Sequence, residues 1–234
     1  MNNVSFEAAN KLFEEVQITL TDVQYRKFSE YAALLISESA HQNVTAVREP
    51  QEIWIRHFLD SAVLLPYISD GATVLDMGTG GGIPAIPLAI LNPSLRITML
   101  DSEQSKIEFC KRAVSSLGLS ADCICGRAEE IAHDQNYREQ FDFVVSRAMA
   151  AGSMLSELSV PFLKVNGSLL SMKGRSFDDE AERFSSAAAE LHCTCEMITY
   201  ELHSEQKTLV VLTKQTETGA KYPRRFAKIK RSPL

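Results

Sequence analysis

The chain has 234 residues, 45% apolar and 23% charged, and its 30 acidic against 24 basic side chains leave a net charge of −6. This length suits one large domain or a catalytic domain with an extension, and the composition is ordinary for a globular core. No apolar run reaches the roughly 20 residues of a membrane span, and the N-terminus lacks the basic-then-apolar order of a secretory signal, so a cytoplasmic protein is expected.

Residues 5–68 read as helical. Val23, Phe28, Tyr31, Leu34 and Leu35 recur at amphipathic-helix spacing. A further helix begins near Pro50, carries Ile53, Trp54, Phe58, Leu59, Ala62, Val63 and Leu65, and stops near Pro66. Residues 43–48 break the pattern and read as a loop. His57 and Asp60 are spaced for an i,i+3 contact, and a capping or interdomain hydrogen bond explains them better than catalysis.

At Thr73 the texture changes. Strands are predicted over 73–76, 96–100, 121–125, 141–145, 168–172, 194–200 and 208–214, and helices over 84–91, 103–117, 151–163 and 178–191. This alternation means βαβ units and a mainly parallel, doubly wound α/β sheet. The link between the last two strands is so short that one of them must run antiparallel. The organisation expected is a helical extension over 1–70, a catalytic domain over 71–216 and a basic tail over 217–234. The five cysteines, Cys110, Cys123, Cys125, Cys193 and Cys195, include no C-x-x-C. They are expected to be reduced, the two C-x-C pairs acting as buried small hydrophobes on strands rather than as metal ligands.

The strongest local signal is Val74-Leu75-Asp76-Met77-Gly78-Thr79-Gly80-Gly81-Gly82-Ile83-Pro84. A strand, an acid, a glycine loop and a helix start follow one another, the arrangement that lets backbone approach a ligand where the first strand ends. No Lys-Ser or Lys-Thr follows, so this is not a phosphate loop. Ile83 stands where a dinucleotide fingerprint needs its third glycine. Asp101 ends the second strand, where an acid accepts ribose hydroxyls. Gly126-Arg127-Ala128-Glu129, after the third strand, borders the same crevice.

From Lys221 onward there are six basic residues and no acid, so this tail carries +6 and the rest of the chain −12. An acidic body with a basic arm suits contact with RNA, and an idle solvated tail explains it equally well. In the first reading Lys221, Arg224, Arg225 and Lys228 join Arg56, Lys173 and Arg175 as RNA contacts, while Tyr222 and Phe226 stack on bases. Deleting the tail should then spare cofactor binding. Arg147, at the end of the fourth strand, and Lys173, after the fifth, are the candidates for a catalytic role. For Arg147 a contact to cofactor or phosphate is favoured.

Four blocks in order resemble the ribosomal small subunit methyltransferase G family, also called glucose-inhibited division protein B. They are Asn43–Ala46 through Arg56–Ser61, the glycine block, Gly126–Glu129 followed by Val145-Ser146-Arg147-Ala148, and Lys221–Arg225. The resemblance covers the chain from about residue 40 to its end. It implies a Rossmann-like class I methyltransferase with a seven-stranded sheet closed by a terminal antiparallel hairpin. It also implies S-adenosylmethionine as cofactor and methylation of guanine N7 in 16S rRNA. Gly78, Gly80, Ile83, Ala128, Glu129 and Arg147 would then line the cofactor pocket, with Asp101, Ser102 and Glu103 on the ribose side. Guanine N7 has an in-plane lone pair, so the chemistry asks for placement rather than a general base. The partner implied is 16S rRNA or the small ribosomal subunit, and the protein is expected to act as a monomer without membrane or metal. The rival readings are a methyltransferase acting on another RNA, a protein or a small molecule, a nicotinamide dehydrogenase, and an RNA-binding module without activity.

Overall fold

The protein is described here from a computed structural model covering residues 4–147, 149, 152–174 and 178–234. The N-terminal extension starts with α1 (Phe6–Phe13), capped by the Ser5 side chain, and α2 (Asp22–Glu38), where Thr21 and Gln24 form a reciprocal capping box. Pro50 opens α3 (Pro50–Ile53), which passes through a π-helical stretch, Trp54–Leu59, into α4 (Asp60–Ala62). The expected single helix near Pro50 is therefore continuous but widened in its middle turn, where His57 lies. Val23 departs from its amphipathic reading: it is 54% exposed, while Phe28, Tyr31, Ala32 and Leu35 form the buried stripe.

The α/β part runs β1 (Thr73–Met77), α5 (Ala85–Leu91), β2 (Arg96–Asp101), α6 (Gln104–Ser116), β3 (Ala121–Cys125), α7 (Ala128–Ile131), β4 (Phe141–Arg147), α8 (Gly152–Ser159), β5 (Leu163–Lys173), α9 (Asp178–Glu190), β6 (Cys193–Leu202), β7 (Glu205–Lys214) and α10 (Phe226–Arg231). The seven strands lie in the order β3-β2-β1-β4-β5-β7-β6. β1 to β5 are parallel, and β7 enters antiparallel between β5 and β6. The predicted α/β sheet with a closing hairpin is thus the observed one. The helix predicted over 151–163 ends as an α-helix at Ser159, because Pro161 has no N–H to donate, and a 3-10 turn over Val160–Phe162 leads into β5. Residue 151 lies outside the described residues, as does Ala148.

Alternation along the strands divides the core between the two faces. Val74 and Leu170 pack with the extension, α5 and α6, while Leu75 and Leu169 pack with α8, α9 and the C-terminal segment. The extension therefore shares a core with the sheet. Phe13, Phe28, Trp54 and Phe58 are fused into one aromatic cluster, with ring centroids 4.8 Å apart at the closest pair. Such pairs add about 0.5–1.5 kcal/mol each beyond their buried area. The C-x-C pairs fall on β3 and β6, the two edge strands. There Cys123, Cys193 and Cys195 are half-buried and Cys125 is exposed, so the pairs are not the buried hydrophobes expected; Cys110, outside the pairs, is the buried cysteine.

Candidate cofactor site

The order of strands reverses between β1 and β4, and ligands in open α/β sheets bind outside the carboxyl ends of strands at such a switch. A cavity of about 390 Å³ opens there, within the size range of small-molecule sites. Its floor is the glycine loop. Gly78 and Gly80 take positive φ values of 73° and 57°, a region L-residues rarely adopt. A Cβ on Gly78 would also come within 2.7 Å of the Met149 side chain, which lines the cavity.

Two carboxylates support that loop. Asp76 accepts from the Thr79 hydroxyl at 2.6 Å and from the Ala85 N–H at 3.2 Å. Burial pushes its carboxyl up to about 7, with the Thr79 and Ala85 hydrogen bonds pulling back. Asp101 accepts from the Gly80 N–H at 2.9 Å through Oδ2 and from the Glu103 N–H at 3.0 Å through Oδ1. It is 8% exposed and lines the cavity. A carboxylate offers about four lone-pair sites, so each Asp101 oxygen keeps acceptor capacity toward the cavity.

Of the residues expected at a cofactor, the structure brings together Gly78, Gly80, Asp101, Ser102, Glu103, Ala128, Glu129 and Arg147. Ile83 is not among them: it is 5% exposed and packed in the extension-side core. The Glu129 side chain is paired with Arg127 at 2.5 Å. Met154, Leu158 and Phe226 also line the cavity; sequence reading indicated none of them at the cofactor and placed Phe226 on RNA bases instead. Lys106 also lines the cavity and pairs with Glu103 at 2.8 Å. An i,i+3 pair on the helix after Asp101 was a readable signal for that one.

Arg147 stands between the cavity and the extension. One Nη donates to the Arg56 carbonyl at 2.6 Å and approaches His57 Nδ1 at 3.1 Å, using two of the five guanidinium donors. His57 Nε2 lies 2.7 Å from the Thr45 hydroxyl, and Asp60 lies 3.9 Å from Arg147 and 2.7 Å from Lys207. Burial, and next the Arg147 charge, lower the His57 imidazole to about 4, so it is neutral at physiological pH and accepts the Arg147 hydrogen bond through Nδ1. The interdomain role expected for His57 and Asp60 is the one their geometry provides. They hold the Arg147 guanidinium in place from behind.

Lys173 does not line the cavity. Its Nζ sits 2.9 Å from Glu180 and 5.1 Å from the centre of the Phe184 ring, turned toward α9. Arg56 is exposed and paired with Glu52 at 3.0 Å, and Arg175 lies outside the described residues.

The basic tail is not a free arm. Arg224 forms a two-pronged pair with Glu157 (Nε to Oε1 2.7 Å, Nη2 to Oε2 2.6 Å) and adds its backbone N–H at 2.9 Å. Glu157 is wholly buried, so Arg224 is a structural cation rather than an RNA contact. Tyr222, 5% exposed, gives its hydroxyl to Glu190 at 2.6 Å and has no ring face for a base. Lys221 is paired with Glu190 at 3.4 Å. Arg225, Lys228, Lys230 and Arg231 remain exposed.

The model of the GidB family, described as rRNA small subunit methyltransferase G, matches residues 24–210. The chain belongs to the rRNA small subunit methyltransferase G family. Relatives of that name are 38% identical to it in Lactobacillus helveticus, over 92% of this chain and 93% of the relative, and 38% identical in a Thermoanaerobacter species, over 100% of both. Solved structures share the fold at lower identity. A putative O-methyltransferase from Klebsiella pneumoniae has a TM-score of 0.56 at 12% identity, covering 89% of this chain and 97% of its own. An S-adenosylmethionine-dependent methyltransferase from Aquifex aeolicus has a TM-score of 0.51 at 14% identity, covering 70% and 93%. Among the described residues no helix is long and apolar enough to cross a membrane.

Proposed function

We propose that this protein transfers the methyl group of S-adenosylmethionine to N7 of a guanine in 16S rRNA. Membership of the family supports rRNA methylation and this cofactor. The observation that carries the reading is the Asp101 carboxylate at the end of β2, held by two backbone N–H groups at the edge of the cavity. A ribose diol fits such an acceptor pair, and the positive-φ glycines beside it leave space for a ligand against bare backbone. When bound, the cofactor supplies a methyl group activated on a sulfonium.

The residues divide the work as follows. Gly78 and Gly80 shape the floor, while Asp101, Ser102 and Glu103 take the ribose side. Ala128 and Glu129 face the adenine. Arg147, fixed by His57 and Asp60, orients the methionine end or a substrate phosphate. The described lining residues include no histidine, and the Glu129 carboxylate is tied to Arg127. That suits a nucleophile with its own lone pair, where alignment of N7 with the methyl carbon and sulfur supplies the rate, on the order of 7–11 kcal/mol. Exposed Arg56, Arg225 and Lys228 contact RNA phosphates.

The test is transfer of labelled methyl from S-adenosylmethionine to small ribosomal subunits that lack the modification, with the labelled nucleotide then identified. The expected product is 7-methylguanosine in 16S rRNA. Label in another base, or in ribosomal protein alone, would overturn the assignment. Running naked 16S rRNA alongside identifies the form of substrate.

A further inference from the structure

The C-terminal segment begins at the end of β7 and crosses back over the α8–α9 face to the carboxyl ends of β1 to β3. Several contacts hold it there. Besides the Arg224–Glu157 pair, Arg138 donates to the Tyr222 carbonyl at 2.9 Å and to the Thr218 carbonyl at 2.8 Å, and His133 Nε2 lies 3.0 Å from the Pro223 carbonyl. Ile229 is fully buried in the core on that face. These anchors fix the first turn of α10, and Phe226 there lines the same cavity as Asp101 and the glycine loop. The Phe226 ring lies 4.8 Å from the Arg127 guanidinium, which belongs to the loop after β3.

We propose that Phe226, backed by Arg127, is the stacking wall for the adenosine end of the cofactor, and that residues 217–234 are a strap completing that pocket. The inference rests on the cofactor reading above. Its chemistry is direct. An aromatic ring with one side against a guanidinium is a flat apolar surface for a purine, and the cation behind it strengthens stacking. The loop that carries Arg127 also carries Ala128 and Glu129, which face the adenine in that reading. Because the strap is already anchored, its ordering cost is met in folding rather than in binding. The exposed cations Lys228, Lys230 and Arg231 ride on the same short helix and Arg225 immediately precedes it, so one segment serves the cofactor with its inner face and RNA with its outer face. This reverses the expectation that removing the tail spares cofactor binding.

The experiment is calorimetric titration of the full-length protein with S-adenosylhomocysteine and with methylthioadenosine, which lacks the amino-acid end. Phe226→Ala should weaken both ligands by about tenfold, the scale of losing one base–aromatic stack. Phe226→Tyr should stay within about twofold of wild type, and Lys11→Ala, at an exposed position of α1, should match wild type. The ligand-free melting temperature of Phe226→Ala should stay near that of wild type, since the side chain is only half-buried. Phe226→Leu keeps the apolar bulk without the π face, and is expected to bind more weakly than Phe226→Tyr. Affinity of Phe226→Ala equal to or tighter than wild type would overturn the proposal, the latter meaning that the ring occupies purine space. Wild-type protein that binds neither ligand would instead strike the cofactor reading itself.

Discussion

Replacing Arg224 by methionine separates a docked strap from a free arm. Glu157 is 0% exposed, and two of its three hydrogen bonds from Arg224 come from the guanidinium, at 2.7 and 2.6 Å. Removing one partner of a buried pair leaves an uncompensated charge and costs about 3–5 kcal/mol. The backbone N–H of residue 224 still reaches Oε1 in the variant, so the lower end, about 3 kcal/mol, applies. For a chain of this size each kcal/mol shifts Tm by about 2–4 °C, giving a fall of about 6–12 °C. Thermal and urea melts of the ligand-free protein read this directly. The double variant Glu157→Leu/Arg224→Met removes both charges and should recover most of the loss, a coupling that a double-mutant cycle isolates. A loss below about 1 kcal/mol, the scale of an exposed ion pair, would refute the docked segment and return the tail to solvent.

Asp101→Ala should weaken S-adenosylhomocysteine binding by at least about tenfold, the scale of one charge-assisted hydrogen bond, while the protein stays folded by circular dichroism; unchanged affinity would remove its ribose role. The His57 imidazole, lowered to about 4 from 6.5 by burial and Arg147, makes stability depend on pH. The unfolded chain binds a proton below about 6.5 and the folded chain does not until about 4, so stability is full above 6.5 and is lost as pH falls through that window. Wild type should lose about 2 kcal/mol from this group between pH 7 and pH 5, and His57→Gln should lack that component in paired urea melts. Arg225→Ala and Lys228→Ala should each weaken RNA binding, lower the slope of log K against log salt by about 0.7–0.9, and leave S-adenosylhomocysteine affinity unchanged. A slope identical to wild type would show that these cations touch no phosphate.

The sequence by itself determined the local chemistry of this protein. The β1–glycine loop–α5 unit, Asp101 at the end of β2 and the closing hairpin were all readable. Each depends on neighbours within a few residues: a strand period of two, glycines that permit positive φ, a link too short for a crossover. The His57–Asp60 spacing put two polar side chains near each other on one helix, but their partners are Thr45, Arg147 and Lys207 rather than each other. Tertiary structure decided everything that depends on which distant segments meet. Arg147 is held by the extension 90 residues before it, and nothing in Val145-Ser146-Arg147 announces that partner. Lys173 looked like a pocket lysine because it stands at the carboxyl end of β5, but its side chain turns to Glu180 on α9. The tail gave the largest departure. Six cations and no acid within its own sequence suggested an arm in solvent, because the compensating carboxylate, Glu157, lies 67 residues earlier and buried. A charge counted along the chain has no environment; only the fold sets whether it meets water, a phosphate or a buried partner.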